Sequence, residues 1–149
     1  MGTIHLPPDF KEFFQWFHRH NVEYLLVGGY AVGYHGYPRA TMDIDVWIAS
    51  TPENARRVVA ALEDFGFGGQ KLSEAMFLAA DQIIRMGLPP MRIEIMTSID
   101  GVEFDDAYRR RVEDELDGVT VKLIGLNHLK LNKQAAARAK DLADLEELP

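Results

Sequence analysis

The sequence predicts a single α/β (α+β) domain over residues 1–149, a mixed β-sheet flanked by helices and finished by a C-terminal helical tail. Three observations predict it. Short alternating or continuous apolar runs recur along the chain, as strands require. Stretches with helical apolar spacing separate several of them, which favours helices packed on a mixed sheet. The composition, 47% hydrophobic and 26% charged, is that of an ordinary globular protein and excludes whole-chain disorder.

Pro7-Pro8-Asp9 opens a helix through about His20, in which Phe10, Phe13, Phe14 and Phe17 form a core-facing stripe. Tyr24–Val27 reads as a short buried strand ended by Gly28-Gly29. A short helix or turn follows through Tyr34, and Gly36-Tyr37-Pro38 forces a loop. Met42–Ala49 is the most regular strand: Met42, Ile44, Val46 and Ile48 alternate with Asp43, Asp45 and Trp47. Thr51-Pro52-Glu53 supplies a capping hydroxyl, a proline at the first helical position and an early acid. That helix runs to about Phe65 and stops at Gly66, while residues 67–80 are ambiguous. Gln82–Met86 and Met91–Met96 read as strands joined by Gly87-Leu88-Pro89-Pro90. Residues 103–110 form one or two helical turns, and Arg111–Leu116 and Val119–Ile124 form a hairpin across Asp117-Gly118. The tail from Asn127 to Leu148 is helical, either continuous or broken near Arg138.

At 149 residues the chain fits one core. No apolar run reaches the roughly 20 residues of a membrane span, so no membrane partner is expected. Met1–Pro8 lacks a basic region followed by an apolar one, so no secretory signal is expected and a cytoplasmic location is the default. The absence of cysteine excludes disulfides, thiolate metal sites and thiol nucleophiles. A formal net charge of −7 argues against a dedicated nucleic-acid binder, although Lys and Arg thicken between Lys122 and Lys140.

Aspartate is disfavoured within strands, yet Asp43 and Asp45 sit in the most regular one. Two-residue spacing sends both side chains to one face, roughly 6.5–7 Å apart. They repel there unless a cation intervenes, and magnesium prefers such oxygen ligands. Solvated acids, or acids paired with Arg39 or Arg92, are the alternative. Gly28-Gly29 after a strand offers backbone amides to a phosphate, or else makes a tight turn. Gly33 and Gly36 complete neither a dinucleotide fingerprint nor a P-loop with its lysine. Glu94 alternates with Ile93 and Ile95 and offers a third carboxylate, or a surface partner for Arg92. His18 and His20 leave opposite sides of their helix, and His35 and His128 lack neighbours at ligand spacing, so a histidine metal site is not expected.

The combination of Gly28-Gly29-Tyr30-Ala31 with Arg39-Ala40-Thr41-Met42-Asp43-Ile44-Asp45 and the distant Glu94 resembles the nucleotidyltransferase superfamily. The likeness is to its minimal branch, which includes the abortive-infection toxin nucleotidyltransferases and related uncharacterised bacterial proteins. The tail Leu129-Lys130, Lys133 and Arg138-Ala139-Lys140-Asp141-Leu142 resembles the C-terminal motif of that branch, though a solvated amphipathic helix would look the same. The resemblance implies a nucleotidyltransferase-like fold and transfer of a nucleoside monophosphate from a nucleoside triphosphate to a hydroxyl acceptor, with pyrophosphate release. It implies that Asp43, Asp45 and Glu94 are catalytic and hold Mg2+ or Mn2+. Gly28, Gly29, Arg39, Thr41, Lys130, Lys133, Lys140 and Asp141 would bind the nucleotide. The acceptor stays open: a tRNA end, a protein hydroxyl or a small antibiotic-like molecule. The alternative is a catalytically weak member that binds nucleotide or a cognate partner protein in a toxin–antitoxin or defence module. Two departures stand out: Gly29 replaces the serine usual in that pair, and Glu94 replaces the usual aspartate.

Overall fold

The computed structural model describes residues 4–38, 43–67, 71–87 and 92–149. Its elements run α1 (Pro8–Arg19), β1 (Tyr24–Val27), α2 (Gly28–His35), β2 (Asp43–Ile48), α3 (Pro52–Leu62), β3 (Ile83–Met86), β4 (Arg92–Met96), α4 (Phe104–Arg109), β5 (Val112–Leu116), β6 (Val119–Leu123), α5 (Leu126–Ala136) and α6 (Ala139–Glu147). The described strands form one mixed sheet in the order β3-β4-β2-β1-β6-β5. β2 lies antiparallel to β1 and parallel to β4, and β1 lies parallel to β6. Two antiparallel pairs, β3–β4 and β5–β6, complete the sheet at its edges.

Strand alternation gives each face its own layer. Tyr24, Leu26, Ile44, Val46, Ile48, Ile93 and Ile95 point into one core with the α1 phenylalanines and with Ala55, Val58 and Leu62 of α3. All four phenylalanines of α1 are buried, as the stripe predicts, and Phe14 stacks on Tyr24 at 5.6 Å between ring centroids. On the other face Leu25, Val27 and Trp47 meet Ala31 and Val32 of α2, Ala107 of α4 and Leu129 of α5. This second layer covers only part of its face. Asp43 and Asp45 take the other odd-numbered positions of β2 on this face, and both are half-buried.

Thr51 caps α3 by accepting the Asn54 amide hydrogen at 3.2 Å. The buried Asn54 side chain then ties α3 to both flanking strands: it accepts from the Glu23 amide at 2.8 Å and donates to the Glu23 and Ala49 carbonyls. The helix ends at Leu62 rather than Phe65, because the last turn widens into a π-type turn over Glu63–Phe67 with Gly66 at φ 121°. The ambiguous stretch contains a 3₁₀ turn over Glu74–Phe77, which buries Phe77 in the first core. Asp117-Gly118 makes the expected hairpin turn with φ of 52° and 86°, and the Asp117 carboxylate also accepts from the Leu6 amide at 2.9 Å. The tail is two helices, broken where Ala137 adopts the left-handed conformation at φ 52°. None of the described helices is long and apolar enough to cross a membrane.

Candidate active site

The open end of the second face is a cleft of about 740 Å³. Register brings its acids together. β2 and β4 run parallel with Asp45 opposite Glu94 and Asp43 opposite Arg92, so all four side chains leave the same face. β1 pairs Val27 with Asp45, which puts the turn after β1 against the same carboxylate. Gly28 there has φ 68°, and a β-carbon at this position would lie 2.1 Å from Asp45 Oδ2. Glycine is required twice over, by backbone conformation and by the close approach of the acid.

Asp45 is the electrostatic centre of the cleft. Its carboxyl is pushed up to about 7, first by burial, then by the charge of Glu94, with which it shares a hydrogen bond, and then by Asp43; Lys140 pulls the other way. Asp45 Oδ1 is buried without a hydrogen-bond partner. Glu94 Oε1 accepts instead from Nε of Arg85, 3.1 Å away on β3, so the cation on this acid is Arg85 rather than Arg92. Among the described residues no three acidic or imidazole groups are already gathered as a closed ligand set. The donor chemistry nevertheless fits a hard divalent cation. Crowded carboxylates, one orphaned buried oxygen and a carboxyl kept partly protonated are what such an ion would relieve.

The glycine turn forms one wall. Gly28 and Gly29 line the cleft, and the first turn of α2 has no side-chain cap, which leaves its amides for an anion. The facing wall comes from the break between α5 and α6, through Lys133, Arg138 and Lys140. Lys133 is 4% exposed, with its ammonium 3.1 Å from carboxylate oxygens of both Asp141 and Asp144. Asp141 also accepts from Arg138, by Nε at 2.7 Å and by the backbone amide at 3.2 Å. These bonds pin the turn that carries Arg138 and Lys140 into the cleft.

Of the residues the sequence nominates, Asp43, Asp45, Glu94, Gly28, Gly29, Lys133 and Lys140 line the cleft together. Lys130 does not line it, and its ammonium donates to the carbonyl of Pro149. Asp141 is fully buried behind the wall, where it orders Lys133 and Arg138. Arg39 and Thr41 lie outside the described residues. Sequence reasoning misses Arg85 and Asn132, both of which line the cleft, and meets Arg138 only as part of the tail motif. Only the pairing of β3 with β4 reveals Arg85. A hairpin between two alternating strands puts it across from Glu94 on the same face.

The sequence profile of the family described as "Nucleotidyltransferase of unknown function (DUF6036)" matches residues 9–148. The chain belongs to this family. Its fold is that of solved nucleotidyltransferases at low sequence identity. A Thermotoga maritima protein, TM1012, assigned provisionally to the nucleotidyltransferases, superposes with TM-score 0.62 at 16% identity, covering 96% of this chain and 92% of that one. The lincosamide antibiotic adenylyltransferase LnuA, solved with lincomycin bound, gives TM-score 0.56 at 15% identity over 97% of both chains. The antibiotic-resistance factor ANT(2'')-Ia gives 0.59 at 12% identity, covering 93% of this chain and 79% of that one. No curated protein matches in sequence.

Proposed function

We propose that the chain transfers a nucleoside monophosphate from a nucleoside triphosphate to a hydroxyl acceptor, releasing pyrophosphate. The observation that carries the reading is the register of Asp45 with Glu94 beside the Gly28 turn, which collects acids and backbone amides at one end of the sheet. Asp43 and Asp45 are the residues to hold two divalent ions, with Glu94 completing the site of one of them. Bound there, such ions supply charge neutralisation at the reacting phosphate and a more acidic acceptor hydroxyl.

The protein's own groups do the rest. The Gly28 and Gly29 amides donate to phosphate oxygens, while Arg138 and Lys140 face them from the α5–α6 turn. Asp45 releases to solvent the proton that burial and the Glu94 charge keep on it, leaving both oxygens to accept. The acceptor oxygen forms its bond to the α-phosphorus as the bond to the departing pyrophosphate breaks in line, and the hydroxyl proton leaves to solvent. Catalysis on this reading is positioning and charge neutralisation. The size of the cleft and the net charge of −7 favour a small hydroxylated acceptor over a large RNA. The antibiotic named with LnuA is an acceptor of that size class.

A second reading is nucleotide or partner-protein binding without transfer, favoured by glycine at position 29 and by the Arg85 contact on Glu94. Incubation with α-labelled triphosphates, Mn2+ and either small hydroxylated acceptors or cell extract separates the two. Transfer is expected from the wild type and lost in the Asp43→Ala, Asp45→Ala double variant. Nucleotide binding with no label moved to any acceptor supports the second reading, and activity surviving in the double variant removes the first.

A further inference from the structure

We infer that Arg85 is a built-in counter-cation for the acidic cluster, a positioning residue that holds Glu94 while no divalent ion is bound and so weakens metal binding in the absence of nucleotide. The inference rests on the proposed reading that Asp43, Asp45 and Glu94 hold metal. β3 and β4 are antiparallel with Arg85 opposite Glu94, and β4 is parallel to β2 with Glu94 opposite Asp45. The three residues therefore form one row across the sheet, with the guanidinium at its outer end. Arg85 Nε is 3.1 Å from Glu94 Oε1. The Glu94 side chain is 16% exposed and that of Arg85 is 59% exposed. The acid is fixed and the base can swing into solvent.

Two consequences follow from that asymmetry. A divalent ion that recruits Glu94 competes with the guanidinium for the same carboxylate, and is also repelled by its positive charge. Release of Arg85 costs little because the side chain already faces water on a sheet edge. Arg85 also stands three strands from the Gly28 turn, roughly 14 Å away at the usual strand spacing. It therefore occupies the side of the cleft away from the phosphate amides. A nucleotide arriving with its own divalent ions adds negative charge at the glycine side, and that charge tips the competition toward the metal. Arg85 thus makes divalent binding depend on nucleotide.

The test is binding of Mn2+ alone, followed by the free-ion electron paramagnetic resonance signal, with no nucleotide present. Arg85→Met should bind Mn2+ roughly three- to ten-fold more tightly than wild type, the range expected when a partly solvent-screened unit charge is removed beside the site. Arg85→Lys should stay near wild type. The gain should shrink at high salt, which a packing effect would not do. It should also shrink when a non-hydrolysable triphosphate is added. Arg109→Met, which removes the exposed partner of Asp106 on α4, should change nothing. Equal or weaker Mn2+ binding by Arg85→Met overturns the inference, as does undetectable binding in both wild type and Arg85→Met. Asp45→Asn separates the two levels of the argument. If it binds Mn2+ as wild type does, the site reading itself fails; if it abolishes binding and Arg85→Met still gains nothing, only the role of Arg85 fails.

Discussion

Replacing Asp45 by asparagine should make the metal-free protein more stable above neutral pH. The Asp45 carboxyl sits at about 7 in the folded protein against an ordinary value of 3.8, so between those values the folded state binds the extra proton. Stability contributed by this group is therefore full at low pH, falls as pH rises through that interval, and stays low above it. The full gap corresponds to about 4 kcal/mol at roughly 1.4 kcal/mol per pH unit. Because Lys140 opposes the shift and Glu94, Asp43 and Arg138 also face the group, the expected loss is about 2–4 kcal/mol between pH 4 and 8. Asparagine keeps the shape and cannot ionise. Urea melts at several pH values in the presence of a chelator give the comparison, and the difference between wild type and Asp45→Asn cancels titrations elsewhere. The difference should favour asparagine increasingly as pH rises. Adding Mg2+ at pH 8 should restore the wild type and leave the variant unmoved. A difference that is flat in pH, or that favours aspartate at high pH without metal, refutes the reasoning.

Gly28→Ala should lose Mn2+ binding and also cost about 1–2 kcal/mol in thermal or urea melts, because its β-carbon would meet Asp45 Oδ2 at a positive φ. Lys133→Met should destabilise the protein by about 3–5 kcal/mol, since it leaves Asp141 and Asp144 buried without their ammonium. Adding Asp144→Asn to that variant should recover part of the loss, and a full additive penalty in the double variant would contradict the pairing. Asn54→Leu should cost about 2–4 kcal/mol in the same melts, because two carbonyls and an amide lose their bonds to its side chain. Tyr34→Phe removes only an exposed bond to Asp114 and should shift stability by less than about 0.5 kcal/mol.

Much of this molecule is legible in its sequence, and the legible parts share a cause. Strict alternation in Asp43–Ile48 and Arg92–Met96 fixes which side chains share a face, because a one-residue slip would bury the acids. The phenylalanine stripe of α1, the Thr51 cap and the Asp117-Gly118 turn are local signals, and each lies where it is expected. What stays hidden is nonlocal. Neither strand carries a signal for its neighbour, so the parallel pairing that sets Asp45 beside Glu94 becomes visible only in the assembled sheet. The basic tail has the same composition whether its lysines face phosphate, carbonyl or carboxylate. Lys130 turns to Pro149, Lys133 is neutralised by two buried aspartates, and Lys140 reaches the cleft. Arg85 is hidden for the same reason: an arginine on an alternating edge strand looks solvated until its neighbour is known.

The most direct measurement is a crystal of the protein grown with Mn2+ and a triphosphate that resists cleavage at the α–β bridge, examined by anomalous scattering at the manganese edge. The account predicts manganese peaks bridging Asp43 and Asp45, one of them also reached by Glu94, with the phosphates over the Gly28-Gly29 amides. Nucleotide bound there with manganese away from these carboxylates, or bound elsewhere on the molecule, would contradict it.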